Sequence, residues 1–265
     1  MMASGGAPLL SCKNVSKHFG ALAAVKNLSF DVYPGEVLGI GGPNGAGKTT
    51  LFEVCSGLNP ATAGSVIFGG RDITHLAPEA ICHAGIARTF QLNACFDSLS
   101  VADNVRVAAY FGRGNRRFPG LRVGKLTDEL ADAALEAVGL SSKRRMIAGE
   151  LPVLDRKMLM LAGAIATQPK LLLMDEPVGG LNPKEIDLMM EAVRKIAASG
   201  VTIMLIEHVM RFLVQLSTRV LIMHHGESIY AGPPDGLTKD KTVVDVYLGQ
   251  GASKRLEAMM ERRAQ

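Results

Sequence analysis

The chain has 265 residues, 48% of them apolar and 20% charged, with a formal net charge of +4. This composition indicates a globular protein with a hydrophobic core and excludes a disordered chain, while so small a charge permits an acidic ligand or a membrane surface without requiring nucleic acid. No apolar stretch approaches the roughly 20 residues that span a bilayer, and the start MMASGGAPLL lacks a signal-peptide pattern, so we expect a cytoplasmic protein whose membrane contact is peripheral.

Short β-like runs open the chain and alternate with helical patterns. They predict strands at residues 9–16, 22–32, 36–42, 64–70 and 85–90, with a helix opening near Thr49 after a Gly-rich turn. Between about Leu92 and Ala166, apolar residues at helical spacing predict helices at 101–110, 126–140 and 156–166. Strands return at 170–175, 201–208 and 219–225, with a helix beginning at Pro183. The runs LLLM and VTIMLI are apolar throughout, as in parallel strands buried on both faces. The pattern therefore indicates a parallel α/β core interrupted by a helical subdomain.

A basic segment lies within the helical region. Residues 104–127 contain no acid and six cations, which are Arg106, Arg113, Arg116, Arg117, Arg122 and Lys125. One interpretation is a solvated, Gly-rich loop, and the other is a contact with anionic headgroups or an acidic partner. The tail at 253–265 is predicted to be an exposed helix.

Residues 42–49 read GPNGAGKT and match the pattern G-x-x-x-x-G-K-[ST] between a predicted strand and a predicted helix. Glycines let successive backbone N–H groups converge on phosphate oxygens, and the helix N-terminus adds the positive end of its dipole. We expect Lys48 to reach the β- and γ-phosphates and Thr49 to offer its hydroxyl to Mg²⁺. The residues predicted to cradle the nucleotide are Gly42, Pro43, Asn44, Gly45, Ala46, Gly47, Lys48, Thr49 and Thr50.

Two consecutive carboxylates follow the apolar run LLLM. Asp175 ends this predicted strand, and Glu176 follows at the C-terminal end, where α/β sheets bind ligands. We expect Asp175 to hold Mg²⁺, directly or through water, and Glu176 to orient or deprotonate an attacking water. Without the Gly-rich loop an acidic pair after a strand would mean little, but together the two motifs predict hydrolysis of a nucleotide.

The stretches GPNGAGKTT, LLLMDEPVGGLNP and IEHVM resemble, in order and spacing, the ATP-binding subunits of ABC transporters over about residues 8–249. GGRDITHLAPEAICHAGIARTFQ and LSVADNV narrow the resemblance to the ATPase subunits of branched-chain amino-acid importers of the LivG kind. The resemblance implies an α/β P-loop NTPase fold of the RecA-like type, with a parallel sheet in a core at about 8–92 and 167–232. It also implies an antiparallel β subdomain, an inserted α-helical subdomain at about 93–166 and a tail at 250–265.

The resemblance also assigns roles to single residues. Phe19 matches the aromatic side chain that stacks on adenine, and Gln91 matches a glutamine that contacts Mg²⁺ and links the core to the helical subdomain. His208 matches the histidine that touches the γ-phosphate. Asn182 stands where many relatives have Asp. The implied catalytic residues are thus Glu176, His208 and Gln91, and the implied metal ligands are Thr49, Gln91 and Asp175.

The sequence departs from the resemblance at residues 150–157, which read ELPVLDRK where the family's signature loop reads like LSYGQQ or LSGGQ. Pro152 lacks both a hydroxyl and an N–H, and Leu154 places a branched side chain where glycine allows close approach. Asp155 is a good N-cap, so its carboxylate is predicted to occupy a helix N-terminus that should face a phosphate. Arg156 and Lys157 restore some positive charge but do not replace fixed amides. We interpret the loop as defective.

The family's subunits dimerise head to tail, so each ATP lies between one subunit's phosphate loop and the other's signature loop. The resemblance therefore implies an ATP-hydrolysing subunit of an importer, with integral-membrane permeases as partners and a solute-binding protein acting indirectly. It further implies a second ATPase with an intact signature loop, a location at the cytoplasmic face of the membrane and no nucleic acid. Two alternatives stay open, which are a regulatory ATP-binding subunit with little hydrolysis and a soluble non-transport ABC ATPase.

Overall fold

The computed structural model describes residues 6–89, 95–112 and 124–248. The chain forms two compact units, one made of Met1–Leu76 with Thr202–Gln265 and the other of Ala77–Val201. The helices and strands in chain order are β1 (Leu10–Phe19), β2 (Leu22–Val32), β3 (Val37–Gly41), α1 (Lys48–Cys55), β4 (Ala63–Phe68), β5 (Arg71–Asp72), α2 (Pro78–Ala84), β6 (Ile86–Thr89), α3 (Val101–Phe111), α4 (Lys125–Ala137), α5 (Val153–Ala166), β7 (Leu171–Asp175), α6 (Pro183–Ala198), β8 (Thr202–Ile206), α7 (Met210–Leu216), β9 (Arg219–His224), β10 (Glu227–Gly232) and α8 (Lys241–Val243).

The first unit contains an antiparallel sheet in the order β2-β1-β4-β5. Leu10, Cys12 and Val15 of β1 are buried. The Sγ atom of Cys12 lies 4.0 Å from that of Cys55, at the end of α1. This sheet is the antiparallel β subdomain that the sequence resemblance implied.

A second sheet in the same unit has the order β10-β9-β3-β8. β3 pairs in parallel with both β8 and β9, and β10 closes one edge antiparallel to β9. Every residue of β3 and β8 is buried. The prediction that VTIMLI forms a parallel strand buried on both faces is therefore confirmed.

The last described residues belong to the core of the first unit. Leu237, Val243 and Leu248 are buried in one cluster with side chains of α7 and β9. Tyr247 packs against the same cluster. The segment after β10 thus packs against β9, one of the two neighbours of β3.

The second unit combines a parallel strand pair with helices. β6 pairs in parallel with β7, all of whose residues are buried, which confirms the prediction for LLLM. Asn182 caps α6 by accepting hydrogen bonds from the backbone N–H groups of Lys184 and Glu185, and the Glu185 carboxylate accepts from the Asn182 N–H. With Pro183 at the first helical position, this capping box fixes the helix start that the sequence predicted.

The predicted α/β fold is confirmed, with a mixed sheet, a separate antiparallel sheet and added helices. The three helices predicted in the central region are present as α3, α4 and α5, although α5 begins at Val153, three residues before its predicted start. The boundaries proposed for the helical subdomain, 93 and 166, lie inside the second unit and stay a prediction. Within the described ranges, no helix combines the length and apolar character needed to cross a membrane.

Candidate nucleotide-binding site

The phosphate loop joins the end of β3 to the start of α1. Lys48 is buried, and its ammonium donates hydrogen bonds to the carbonyl oxygens of Gly42 at 2.8 Å and Pro43 at 2.9 Å. The helix has Gly47 as its N-cap, and no side chain caps it. The first turn therefore presents backbone N–H groups and the positive end of the helix dipole, which is the arrangement that binds phosphate.

At two positions of this loop only glycine fits, because a Cβ atom would collide with neighbouring backbone and because φ is positive. A Cβ on Gly42 would lie 2.1 Å from the Met223 carbonyl oxygen, and a Cβ on Gly47 would lie 2.1 Å from the Ala24 carbonyl oxygen. Both residues have positive φ, 141° and 97° respectively. Asn44 and Gly45 at the tip of the loop and Thr49 are exposed. The loop is thus fixed at its base and open at its tip.

Phe19 ends β1 at the turn into β2, in the same unit as the phosphate loop. Its side chain is 44% exposed, although a large aromatic residue usually buries most of its surface. The ammonium of Lys17 lies 5.1 Å from the ring centroid, within cation–π range. An exposed aromatic ring supported in this way is a suitable platform for a stacked base.

His208 follows β8, the parallel neighbour of β3. Its side chain is exposed, while the preceding Glu207 is buried. The Glu207 carboxylate accepts hydrogen bonds from the backbone N–H groups of His208 at 2.8 Å and Val209 at 3.0 Å. Because Ile40 and Ile206 are register partners, the phosphate loop and His208 emerge from the same end of two paired strands.

Asp175 ends β7 in the second unit, with its side chain only 1% exposed. The Arg88 guanidinium, itself 8% exposed, donates a hydrogen bond from Nη2 to Asp175 Oδ2 at 2.9 Å. Arg88 was not singled out by sequence reasoning. A small cavity beside the pair, with about 10 Å³ of space for water, is lined in part by Thr89, Lys157 and Asp175. The Thr89 hydroxyl is buried and has no hydrogen-bond partner among the described residues, and one water fits there.

Glu176 directly follows Asp175 and has an unusual backbone conformation. Its φ of 49° lies in the left-handed region, which non-glycine residues adopt at a cost of about 1–3 kcal/mol and which clusters at functional sites. Its carbonyl oxygen accepts hydrogen bonds from the Gly179 N–H at 3.3 Å and from the Lys157 ammonium at 3.5 Å. These contacts hold the backbone of Glu176 in this conformation.

The altered signature loop leads directly into α5. The helix has Pro152 as its N-cap, without any side-chain hydrogen bond, and Asp155 is already its third residue. The prediction that Asp155 caps the helix is therefore wrong, because its carboxylate pairs with Lys143 instead. Arg156 pairs with Asp97 and donates to the Ala148 carbonyl oxygen at 3.3 Å. Its charge is already partnered within this chain.

Several predicted features lie outside the described residues. These are Gln91, the tail at 253–265 and four of the six cations of the basic segment, Arg113, Arg116, Arg117 and Arg122. Of the other two cations, Arg106 pairs with Asp103 and Asp128, and Lys125 pairs with Glu129. The two described cations are thus engaged in local ion pairs.

Tyr247 is a residue near the phosphate loop that sequence reasoning missed. Its Cε1 atom lies 3.2 Å from the position that a Cβ on Gly41 would occupy. Burial raises the pKa of its hydroxyl, and the nearby backbone of Gly42 opposes that rise. No described residue lies within hydrogen-bonding geometry of this hydroxyl. No local motif marks this tyrosine as a neighbour of the phosphate loop, because Gly41 and Gly42 lie far from it in the sequence.

Comparison of the sequence with known proteins gives a matching family and two similar relatives. A family model described as "ABC transporter" matches residues 25–179. The chain is 33% identical to the high-affinity branched-chain amino acid transport ATP-binding protein LivG of Escherichia coli strain K12, covering 92% of this chain and 98% of LivG. It is 32% identical to the ribose import ATP-binding protein RbsA 2 of Streptomyces avermitilis, covering 91% of this chain and 47% of RbsA 2.

A solved structure is similar over almost the same length. It is the ADP conformation of an ATP-binding cassette of an ABC transporter, with a TM-score of 0.82 and 29% identity, covering 92% of this chain and all of that one. This chain and the solved cassette therefore share one fold. The phosphate loop described above is thus set in a fold that holds nucleotide in the solved relative.

Proposed function

This chain belongs to the ABC transporter family, and on that premise we propose that it is the ATPase subunit that energises uptake of branched-chain or other amino acids. ATP hydrolysis is the activity of the family to which it belongs. The observation that carries the proposal is the phosphate loop, in which two carbonyl oxygens hold the Lys48 ammonium at the start of a helix that no side chain caps. The amino-acid solute is supported by the 33% identity with LivG over 98% of LivG.

We assign the following roles in hydrolysis. Phe19 stacks on adenine, and the amides of residues 42–50 with the Lys48 ammonium bind the phosphates. Thr49, Gln91 and Asp175 hold a magnesium ion, a hard cation suited to these oxygen donors. When bound there, the metal would supply positive charge to the phosphate oxygens. Glu176 takes the proton of the attacking water, and His208 contacts the γ-phosphate.

The second part of the proposal is a heterodimer with one competent ATP site. This chain supplies every residue of a phosphate-binding half, but its own signature loop has Pro152 and Leu154 in place of small residues with free amides. A homodimer repeats the same interface twice, so both of its sites would have the defect. Losing one preorganised donor of this kind slows an enzyme by about 10²- to 10³-fold. The partner is therefore a second ABC ATPase with an intact signature loop.

The assembly that follows from this role has the chain on the cytoplasmic face of the membrane as a peripheral subunit. Its permease partners are integral-membrane proteins, and a solute-binding protein acts through them. The proposed assembly does not include nucleic acid, which agrees with a net charge of only +4.

The test is ATPase activity of the purified chain with and without the co-purified second cassette. We expect slow hydrolysis by the chain alone and a rise of about 10²-fold or more in the complex. A triple variant, Pro152→Ser with Leu154→Gly and Asp155→Gln, should raise the activity of the chain alone. Ordinary transporter rates for the unmodified chain alone would refute the heterodimer.

One alternative has a specific observation in its favour. The altered signature loop would also suit a regulatory subunit that binds ATP and hydrolyses little. Glu176→Gln separates the two, since it should abolish transport by the complex if this chain's site turns over and leave transport unchanged if it does not. A soluble, non-transport ABC ATPase is the remaining alternative, and failure to co-purify with any permease would favour it.

A further inference from the structure

Arg88 is a cation buried against the carboxylate that we assign to magnesium. It lies on β6, the parallel neighbour of β7, where Arg88 and Leu173 are register partners. The guanidinium reaches past the end of the pairing to Asp175 Oδ2, at 2.9 Å, and both side chains are almost fully buried. The contact joins residues 87 positions apart, so the fold and not the local sequence creates it.

Because both side chains are buried, the ion pair strongly affects the energy of the Asp175 carboxylate. An ionised carboxylate removed from water is costly unless a cation or hydrogen-bond donors replace its hydration. Arg88 does so through a planar guanidinium that remains charged at any physiological pH. When a divalent cation approaches Asp175, it meets a carboxylate whose charge is already balanced and a positive charge close by. The arginine and a metal ion therefore compete for the same negative charge.

We propose that Arg88 is a positioning residue that serves as the counter-ion of Asp175 and prevents magnesium from binding there without nucleotide. The inference rests on the proposed function, since it takes Asp175 as a magnesium ligand. Arg88 holds Oδ2 and keeps the carboxylate in one orientation. Magnesium then requires the additional negative charge of ATP phosphates, so metal and nucleotide enter together.

Arg88 also stands three residues before Gln91, the other proposed ligand from this part of the chain. Thr89, between them, has a buried hydroxyl beside the cavity that Asp175 also lines. The end of β6 thus contributes the counter-ion of one proposed ligand and leads directly to another.

The experiment measures the melting temperature of the nucleotide-free protein during a titration with magnesium chloride. Four proteins are compared, which are the wild type, Arg88→Gln, Arg88→Lys and the double variant Arg88→Gln with Asp175→Asn. We expect magnesium to raise the melting temperature of Arg88→Gln with an apparent affinity about tenfold or more above that of the wild type. The double variant should lose this response and recover stability that Arg88→Gln lost, because neither charge is then left unpaired.

A magnesium response of Arg88→Gln equal to that of the wild type would overturn the proposal and leave only a structural ion pair. If Arg88→Gln does not fold, Arg88→Lys carries the same test. Its shorter ammonium holds the carboxylate less completely than a planar guanidinium, so magnesium must stabilise it more than the wild type, and an equal response refutes competition. These measurements use no ATP. Failure of the wild type to bind ATP would refute the proposed function without changing their outcome.

Discussion

Replacing Gly47 with alanine should disable the phosphate loop, and Gly200→Ala provides a matched control. Both glycines are left-handed, with φ of 97° and 94°. A Cβ on Gly200 meets no atom within 4 Å, whereas one on Gly47 lies 2.1 Å from the Ala24 carbonyl oxygen. Both variants therefore carry the left-handed cost of about 1–2 kcal/mol, and only Gly47→Ala adds a collision with backbone.

The magnitude of the effect follows from the distance. Side-chain Cβ atoms essentially never approach another heavy atom within 3.0 Å, so the backbone around Gly47 must move by at least 0.9 Å, the difference from 2.1 Å. Gly47 is the N-cap of α1, so the movement displaces the amides of the first turn. Loss of one charge-assisted hydrogen bond of about 1.5–3 kcal/mol corresponds to roughly 10- to 150-fold weaker ATP binding.

Two measurements check this prediction. Calorimetric titration gives the Kd for ATP, and denaturant unfolding without nucleotide gives the free energy of unfolding. We expect Gly200→Ala to bind ATP like the wild type while losing about 1–2 kcal/mol of stability. Gly47→Ala should lose more stability and show the weaker Kd. Equal unfolding free energies and equal Kd values for the two variants would refute the steric reasoning.

Three further predictions concern other parts of the chain. Phe19→Ala should weaken ATP binding by roughly 5- to 150-fold, as loss of about 1–3 kcal/mol of base stacking implies, while Phe19→Tyr keeps the affinity; equal Kd values for both variants would contradict stacking. Asn182→Ala should lower the unfolding free energy by about 1 kcal/mol and Asn182→Asp by much less, because Asn and Asp cap helices about equally well; urea denaturation measures both. The hydrogen bond with Cys55 and burial raise the pKa of the Cys12 thiol well above its usual value, so alkylation of the native protein should spare Cys12 and reach it only after unfolding, as mass spectrometry can check.

Features that depend on a local pattern could be predicted from the sequence. The buried strands β7 and β8 were predicted because burial on both faces leaves an uninterrupted apolar run. The phosphate loop was predicted because its glycines, lysine and threonine act within eight residues. The start of α6 was predicted because Pro183 suits a first helical turn.

Features that depend on distant contacts could not be predicted. Asp155 has the chemistry of an N-cap, but Lys143, twelve residues upstream, binds its carboxylate. Arg88 reads as one cation in the run IARTFQ, and only the pairing of β6 with β7 brings it to Asp175. Tyr247 contacts the glycine at the end of β3 from the far end of the chain. Neither β10 nor α7 was predicted from the sequence.

The pairing of β3 has a consequence for how the protein is made. Val37 pairs with Ile203, 166 positions later, and β9 on the other side follows later still. The ribosome therefore releases this strand long before either neighbour exists. The second unit, Ala77–Val201, is one continuous segment, so all of it is synthesised before β3 has a pairing partner. Domains generally fold as units during synthesis. A nascent chain that stops before residue 203 would carry the complete phosphate-loop sequence without the two strands that pair with β3.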